Sequence, residues 1–453
     1  MTDKVLTILK IGVAVLFVAA LGMGGWLLYT KVFKSDKEVE EPEDQSVELI
    51  WWTLWEEQED LQVLADAYHQ QNPNVTIKIE PQEVTSQYRE RLLERLSDSD
   101  TSNDPDIMRI HNTWTPLFQE YLFSLPSSVM TETEYASTFY DTALVDFIGD
   151  DGDIYGIPLM FDAIGVYYNK DILSDQGYST PEENWDDFLI QAKALTQYKE
   201  DGSINIAGAG LGTADNVDFS FDIVSLLMLQ EGASIVGSSG STNFATDEDM
   251  KAAKALKFYT EFATRHDVWD RTLSRDITMF AEGRLAMMFA PSWRVFDVND
   301  ALDSVGATLD YDIAPVPQQP TVTDEEINWA TYWGEAVSGN SENSDIAWDF
   351  LKFASEQDQL ETFYNKCKET REFGEIYPRK DMTEDLISDK YVGAYIKMAD
   401  TAISWKMVDK ENVADEFDAL IKEIVTSGGM STSTIQGRLE EVADTIDQII
   451  ATD

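Results

Sequence analysis

Segments typical of strands and of helices alternate between residues 47 and 110, and this alternation limits the possible folds more than any other feature of the chain. Strands that alternate with helices form a mainly parallel sheet covered by helices, and its ligands bind at the carboxyl ends of the strands. The sequence therefore predicts an α/β fold with strand ends at Thr53–Gln58 and His111–Trp114. The predicted strands are Val47–Thr53, Val75–Glu80 and Asp106–Ile110, and the predicted helices are Glu56–Gln70 and Gln87–Leu96.

The rest of the chain continues as a mixture of strands and helices and then becomes mostly helical. With 453 residues, of which 43% are hydrophobic, the chain is long enough for two domains with separate cores. The predicted strands are Arg284–Phe289, Asp310–Val316 and Tyr332–Ser338. The predicted helices are Pro181–Tyr198, Phe219–Gln230, Asp247–Arg265, Ala347–Ser355, Val413–Val425 and Thr432–Ile450.

The net charge of the chain is −51, from 33 Lys and Arg against 84 Asp and Glu. Such a surface repels phosphate groups, so the composition argues against nucleic-acid binding and against attachment to anionic membrane surfaces. An excess of acids over lysine also suits a salty environment. That hypothesis is tested by refolding the protein across a salt series.

Metal and cofactor sites have little support in the sequence. Cys367 is the only cysteine, so the chain cannot form an internal disulfide. His69, His111 and His266 do not have the spacing of zinc ligands. We therefore expect no zinc site and no cofactor. The sequence also contains no Ser-His-Asp pattern or phosphate-binding loop that would indicate an enzyme.

The amino terminus predicts a membrane anchor. Ile11–Tyr29 carries no charge, is long enough to span a bilayer and ends in aromatic residues, which favour the membrane interface. A signal peptide cleaved near Ala20-Leu21-Gly22 is the alternative interpretation. The sequence thus predicts an anchor domain at 1–33, followed by a charged, solvated tether at 34–45.

The stretch Tyr155–Leu173, YGIPLMFDAIGVYYNKDIL, places an acidic residue inside an apolar run. Ile164, Val166 and Tyr168 alternate as in a half-buried strand. Burying the carboxylate of Asp162 costs several kcal/mol unless hydrogen-bond donors meet it. Either a backbone cap or an arginine supplies those donors, or Asp162 lines a cleft and meets the hydroxyl groups of a ligand.

This stretch resembles extracellular solute-binding proteins of the maltose-binding-like class, which serve ATP-binding cassette (ABC) importers. Family members have a Tyr-Gly-Ile-Pro sequence followed after a short gap by Tyr-Tyr-Asn-Lys-Asp, and here these pieces are Tyr155–Pro158 and Tyr167–Asp171. Pro105-Asp106-Ile107 matches another family element. The resemblance extends over Val47–Ile450 in element order, although the lipid-modified cysteine of many relatives is missing.

The resemblance implies a two-lobed, periplasmic-binding-protein-like α/β fold with hinge crossings, preceded by one N-terminal transmembrane helix. The first lobe is expected to combine residues 46–160 with 284–338, and the second to combine 161–283 with 339–453. The chain would cross between the lobes at three places, and the lobes would close over a ligand. The binding domain is then expected on the extracytoplasmic side of the cell membrane, held in the lipid bilayer by a single-pass helix, with ABC permease subunits as partners.

The resemblance and the strand ends together predict a carbohydrate site. A flat aromatic ring buries the C–H face of a sugar, while carboxylates and amides bind its hydroxyl groups. Asp162, Trp293 and Trp333 are the leading candidates, and relatives carry a sugar-stacking aromatic at the position of Trp293. The further candidates are His111, Asn112, Trp114, Trp55, Glu56, Tyr332, Asn216, Asp218, Arg379 and Trp405.

Several of these candidates also have ordinary structural interpretations. Trp114 could belong to the core, and His111 to the surface or to a cap. Glu56 could stand in the acidic first turn of a helix, and Asn216 is a typical N-cap residue, as is its neighbour Asp218. Arg379 could pair with Asp162, with an acidic ligand or with a group on the surface.

The predicted function is a membrane-tethered solute-binding protein that captures a carbohydrate, expected to be an oligosaccharide, for an ABC importer and catalyses no reaction. One alternative is an extracellular glycan hydrolase with two catalytic carboxylates. Another is a sensor or adhesin that uses the same fold without transport. A ligand derived from an amino acid, or a polyamine, also fits the acidic composition.

Overall fold

The structure of the chain is a computed structural model that describes residues 46–83, 87–236, 241–319, 326–407 and 409–452. The anchor predicted at Ile11–Tyr29 and the tether predicted at 34–45 lie outside these residues. Within the described ranges, no helix combines the length and the apolar character that are needed to cross a membrane.

The larger sheet joins strands that are distant in sequence. Its strands are β1 (Val47–Thr53), β2 (Val75–Pro81), β3 (Ile107–His111), β4 (Leu122–Phe123) and β11 (Trp333–Ser338). Their order across the sheet is β2-β1-β3-β11-β4. β1 and β3 pair in parallel, whereas β11 is antiparallel to both β3 and β4. The predicted parallel pairing is confirmed for β1 and β3, and β11 adds two antiparallel pairs because it returns from a remote part of the chain without a helical crossover. The predicted strand Val47–Thr53 is confirmed at both ends.

The smaller main sheet is antiparallel, with β5 between β8 and β9, and its bounds are β5 (Gly165–Asn169), β8 (Met287–Ala290) and β9 (Tyr311–Ala314). Every residue of β5 is buried, so the half-buried strand predicted there is wrong. Both faces of a central strand can be covered, and here Tyr167 packs against Phe280 and Tyr311. Two short pairs complete the strands: β6 (Gln197–Tyr198) with β7 (Ile204–Ile206), and β10 (Asn328–Trp329) with β12 (Ala402–Ile403).

Helices flank both sheets, and those predicted from apolar periodicity are found within a few residues of their predicted ends. Those with more than one and a half turns are α1 (Gln58–Gln71), α2 (Tyr88–Ser97), α4 (Glu132–Thr138), α5 (Asp141–Phe147), α6 (Lys170–Asp175), α7 (Trp185–Leu195), α8 (Ser220–Gln230), α9 (Lys251–Thr264), α10 (Asp276–Ala281), α11 (Arg294–Val305), α12 (Ser344–Ala354), α13 (Gln357–Cys367), α15 (Gly393–Met398), α16 (Lys410–Thr426) and α17 (Thr432–Thr452). The single turns α3 (Thr115–Phe118) and α14 (Thr383–Leu386) lie between them.

Segments that connect the two main sheets run beside one another. Ile157 forms a bridge to Glu335, and Ala163 forms a bridge to Ala330, so these two stretches are antiparallel. β10, which leads into the second stretch, pairs in parallel with β12. Two stretches that link the main sheets therefore run side by side, and the β10–β12 pair lies next to one of them.

The division of the chain expected from the resemblance needs correction. β8 and β9 fall within residues 284–338, which were expected in the first lobe, but they hydrogen-bond to β5 in the smaller sheet. α12 and α13 were expected in the second lobe, yet they pack on α1 and β11 of the larger sheet, where Phe350 contacts Trp51 and Tyr68. The order of elements along the chain does not reveal such pairing between distant segments.

Candidate ligand-binding site

A cavity of about 880 Å³ lies between residues of the two main sheets. Because β11 is antiparallel to the parallel strands β1 and β3, its start meets their carboxyl ends at one edge of the larger sheet. Residues from this edge, including Trp55, His111 and Trp333, form the first wall, and residues after β8, including Ser292 and Trp293, form the second wall. The volume is within the roughly 300–1,000 Å³ that is usual for small-molecule sites.

The first wall is built from aromatic rings around Trp333. The rings of Trp55, His111 and Trp114 lie with their centroids 4.6, 5.0 and 5.1 Å from that of Trp333, and each meets it edge to face. Trp55 is 48% exposed, whereas Trp114 is buried. Trp114 is therefore a core residue, as one interpretation predicts, and it also lines the cavity.

The second wall presents the indole of Trp293, which is 44% exposed. Pro291 follows the end of β8, and Trp293 stands directly before α11. Its ring packs edge to face on Phe219 at 5.7 Å, and the guanidinium of Arg294 lies 4.9 Å from its centroid. Arg294 is fixed in turn by Asp218 at 2.8 Å. These contacts orient the indole and leave much of it open to the cavity.

Asp162 lines the cavity, and donors of the chain itself satisfy its carboxylate. The backbone N–H of Ala163 donates to Oδ1 at 2.8 Å, and Ser292 donates from its N–H at 3.1 Å and from its hydroxyl to Oδ2 at 2.8 Å. Burial raises the pKa of Asp162 to about 7, although these hydrogen bonds oppose the rise. The interpretation as a capped carboxylate is therefore confirmed, and an arginine partner is not needed.

Glu56 is the second buried carboxylate of the lining. It precedes α1 and accepts a hydrogen bond from Arg109 in β3. Burial raises its pKa to about 7, and the neighbouring guanidinium limits the rise. Glu56 is therefore not a solvent-facing residue of the first helical turn.

His111 is buried in the first wall, so its interpretation as a surface residue is wrong. Its Nδ1 lies 2.8 Å from the hydroxyl of Thr113, and its Nε2 lies 3.3 Å from the hydroxyl of Thr331. Burial, helped by the charge of Lys410, lowers the pKa of His111 well below its ordinary value. The imidazole is therefore neutral at neutral pH.

Most charged groups of the lining are acidic. Its two cationic side chains are paired, Lys410 with Asp222 at 2.9 Å and Arg371 with Glu375 at 2.8 Å. Further carboxylates include Asp300 on α11. The lining thus suits a neutral or cationic ligand better than an anion. In the described part of the chain, no group of three or more His, Cys, Asp or Glu side chains is arranged to hold a metal ion.

Tyr332, Asn112 and Asp146 form a buried hydrogen-bond group behind the first wall. Tyr332 touches the cavity, but its hydroxyl donates to Asp146 at 2.8 Å. Asn112 donates to the same carboxylate at 3.0 Å, is fully buried and is not part of the lining. The prediction of Asn112 as a residue that meets the ligand directly is therefore not supported by its position.

Four other predicted residues also lie away from the lining. Asn216 accepts a hydrogen bond from the indole of Trp269 at 2.9 Å, and Asp218 pairs with Arg294. Neither caps α8, which follows Phe219 without a side-chain cap. Trp405 is buried against Phe221. Arg379 binds Asp381 at 2.8 Å and the carbonyl oxygen of Ser355 at 2.8 Å, not Asp162.

The sequence reasoning missed an aromatic pair at one end of the cavity. Phe296 on α11 stacks on Phe373 with the ring centroids 4.7 Å apart, and Arg371 lies over Phe296 at 5.5 Å. Phe296 follows Trp293 by three residues, which is the spacing of one helix face, and this was the available signal. Phe373 and Lys410 carried no comparable signal, because they reach the cavity from remote segments.

Comparison with known proteins gives a consistent result. The family model of bacterial extracellular solute-binding proteins matches residues 54–361. A protein of Brucella abortus (strain 2308), named as a binding protein, is 24% identical over 303 residues, which cover 64% of this chain and 67% of that protein. The arabinooligosaccharide-binding protein of Halalkalibacterium halodurans is 24% identical over 328 residues, which cover 68% of this chain and 67% of that protein.

A solved structure extends this similarity to the fold. The sugar-binding protein MalE of Xanthomonas citri superimposes with a TM-score of 0.71 at 18% identity, and the match covers 89% of this chain and 98% of that chain. The likeness shows that the chain has the two-lobed α/β fold of solute-binding proteins.

Proposed function

Because this chain belongs to the bacterial extracellular solute-binding proteins, we propose that it captures a carbohydrate, in particular an oligosaccharide, and delivers it to the permease of an ABC importer. The ligand would lie in the cavity with its apolar faces against Trp55 and Trp333 on one side and Trp293 on the other. Relatives named for arabinooligosaccharide and sugar binding support this choice of ligand.

The observation that carries the proposal is the presence of open indoles in both walls of one cavity. Trp55 and Trp293 leave 48% and 44% of their surface exposed, although large aromatic side chains are usually well buried. An aromatic face buries the C–H surface of a sugar ring, and hydroxyl groups can bind to carboxylates at the rim such as Asp300 and Glu372. A sugar therefore matches both the shape and the chemistry of the lining.

The state of the buried carboxylates favours binding over hydrolysis. A glycan hydrolase needs one carboxylic acid and one carboxylate that both reach the scissile bond. Here Asp162 is occupied by Ser292 and Ala163, and Glu56 is held by Arg109. We therefore propose that the protein releases its ligand unchanged.

We also propose how the binding domain is held and how it moves. Ile11–Tyr29 would anchor the chain in the membrane, and residues 34–45 would tether a domain on the extracytoplasmic side. The family description as extracellular supports this side of the membrane. The lobes would close by bending at the three places where the resemblance implies that the chain crosses between them.

A ligand screen tests the proposal. The full chain in detergent would be heated with arabinotriose, maltotetraose, mannobiose and raffinose, and hits would be measured by calorimetry. A ligand at a hundredfold excess over Kd stabilises the folded state by about 2.7 kcal/mol, which is a readily measured rise in Tm. A double variant Trp55→Ala with Trp333→Ala should lose the response. Tyr198→Ala, which removes an exposed aromatic outside the lining, should keep it.

Two results would contradict the proposal. The absence of any response across a broad oligosaccharide panel would remove the carbohydrate assignment. Recovery of a bound sugar as shorter fragments, measured by mass spectrometry after incubation, would favour a hydrolase instead.

A further inference from the structure

Trp55 has an unusual backbone conformation for an aromatic residue. Its φ is +67°, in the left-handed region, and Met250 and Asp267 are the other non-glycine residues with positive φ in the described ranges. Bulky residues rarely adopt this conformation, because the Cβ atom crowds the following carbonyl oxygen. Such residues persist only where the surrounding structure holds them, and they concentrate at functional sites.

Arg109 holds the chain on both sides of Trp55. Its Nη1 donates to the carbonyl oxygen of Leu54 at 2.9 Å and also to the carboxylate of Glu56. Its Nε donates to Oε1 of Glu335 at 2.8 Å, and its Nη2 lies 2.7 Å from that Oε1 atom. Arg109 and Glu335 are both fully buried, so water does not compete for these contacts. The turn that carries Trp55 is therefore fixed to two strands of the larger sheet.

The register of the sheet places this network beside the aromatic first wall. Glu335 stands opposite Arg109 in the β3–β11 pair, and Trp333 stands opposite His111. Side chains two residues apart on a strand point to the same face. The Arg109–Glu335 pair therefore shares a face with the neighbouring His111–Trp333 pair, and Trp55 meets Trp333 from the turn that Arg109 holds.

We propose that Arg109 is a positioning residue for ligand binding, which keeps Trp55 in its left-handed conformation so that the indole stands open beside Trp333. The fold accepts local strain at Trp55, and the ligand meets a wall that needs little rearrangement. The inference rests on the proposed function only for the nature of the ligand, because the positioning itself can be measured in the ligand-free protein.

The strain is tested by thermal unfolding of the ligand-free full chain. Glycine adopts positive φ without a steric penalty, so Trp55→Gly should have a Tm at least about 1 °C above that of Trp55→Ala. Met250→Gly and Met250→Ala form a matched pair, because Met250 has φ +52° and does not line the cavity. Met250→Gly should likewise have a higher Tm than Met250→Ala. A Tm for Trp55→Gly at or below that of Trp55→Ala would refute the strain at Trp55.

The positioning is tested by near-ultraviolet circular dichroism, again without ligand. Trp55 and Trp333 lie edge to face at 4.6 Å, so their transitions couple, and the spectrum of Trp55→Gly identifies that signal. Arg109→Lys keeps the charge but loses the planar fork that reaches three acceptors, and it should lose the signal. An unchanged signal in a folded Arg109→Lys protein would overturn the proposal.

A second pair of variants decides the question if Arg109→Lys does not fold. Glu56→Ala removes one of the two links to the turn and leaves the Arg109–Glu335 pair intact, so the coupled signal should weaken. Glu56→Gln keeps an oxygen acceptor for Arg109, so its coupled signal should be as strong as that of the wild type. Equal spectra for Glu56→Ala and the wild type would overturn the proposal.

The consequence for binding is tested with maltotetraose as the probe. Arg109→Lys should weaken binding roughly tenfold in the wild-type background, but less than about twofold in the Trp55→Gly background, because it acts through Trp55. Equal losses in both backgrounds would show that Arg109 acts elsewhere and would overturn the proposal. Failure of the wild type to bind maltotetraose would count against the proposed ligand class only, while the ligand-free spectra still decide the positioning.

Discussion

Replacement of Trp293 by alanine is the most direct perturbation of the second wall. The indole is 44% exposed, and its ring packs against Phe219 and Arg294. An aromatic side chain offers about 150–250 Å² for burial, so the exposed fraction corresponds to roughly 70–110 Å². At about 25 cal/mol per Å², covering that area with a ligand contributes roughly 1.7–2.8 kcal/mol.

This estimate sets the expected change in affinity. Trp293→Ala should weaken the binding of an oligosaccharide by about tenfold to a hundredfold, measured by isothermal calorimetry. Trp293→Phe keeps a smaller aromatic face, so its affinity should lie between those of the wild type and Trp293→Ala. The free energy of unfolding should change little, because the removed side chain is half exposed and Arg294 keeps its pairs with Asp218 and Asp297.

Tyr198→Ala is the matched control for this experiment. Tyr198 is also an aromatic residue with about half of its surface exposed, at 51%, but it lies outside the cavity lining. Its removal should leave the affinity unchanged. If Trp293→Ala binds the same sugar within about twofold of the wild type, the reasoning that places Trp293 against the ligand is refuted.

Three further predictions concern pH, thiol chemistry and salt. Burial raises the pKa of Asp162 to about 7, above the roughly 3.9 of an unfolded aspartate, so its contribution to stability is complete below about pH 4 and is lost as the pH rises towards 7. Asp162→Asn should therefore flatten the fall in unfolding free energy between about pH 4 and pH 7 in urea titrations, and an unchanged slope would contradict this. Cys367 is fully buried, and burial raises the pKa of its thiol to about 12. A thiol reagent should therefore label it only after the protein unfolds. Rapid labelling of the native protein would disprove its burial. The chain carries a net charge of −51, and added salt screens the repulsion between its charges. Its Tm should therefore rise between about 0.01 and 0.15 M salt, where the screening length falls from about 30 to 8 Å. A constant Tm would mean that charge repulsion is negligible.

The elements that could be predicted from the sequence are those defined by local patterns. β1 was predicted at both ends, and α8 to within one residue, because the spacing of apolar residues is a property of the segment itself. Trp55, His111 and Trp114 were placed correctly in the lining, because they follow strand ends and an α/β sheet collects its ligands there.

The parts that could not be predicted depend on partners far away in the chain. Asn216 has the composition of an N-cap, but its side chain satisfies Trp269, more than fifty residues later. Trp405 packs on Phe221, far earlier in the chain, and is buried. The assignment of β8 and β9 to the first lobe failed for the same reason, because pairing with β5 is set by the tertiary fold.

The fate of Asp162 connects the two walls of the cavity in one argument. The sequence allowed either a capped carboxylate or a cleft residue that meets a ligand, and Asp162 is a capped carboxylate that also lines the cavity, since Ser292 donates to it twice. Ser292 directly precedes Trp293, so the turn that presents this indole is fixed to a segment that joins the main sheets. Arg109 fixes the turn of Trp55 to the larger sheet in the same manner. Buried hydrogen bonds to charged groups are directional, so both indoles are set in orientation as well as in position before a ligand arrives.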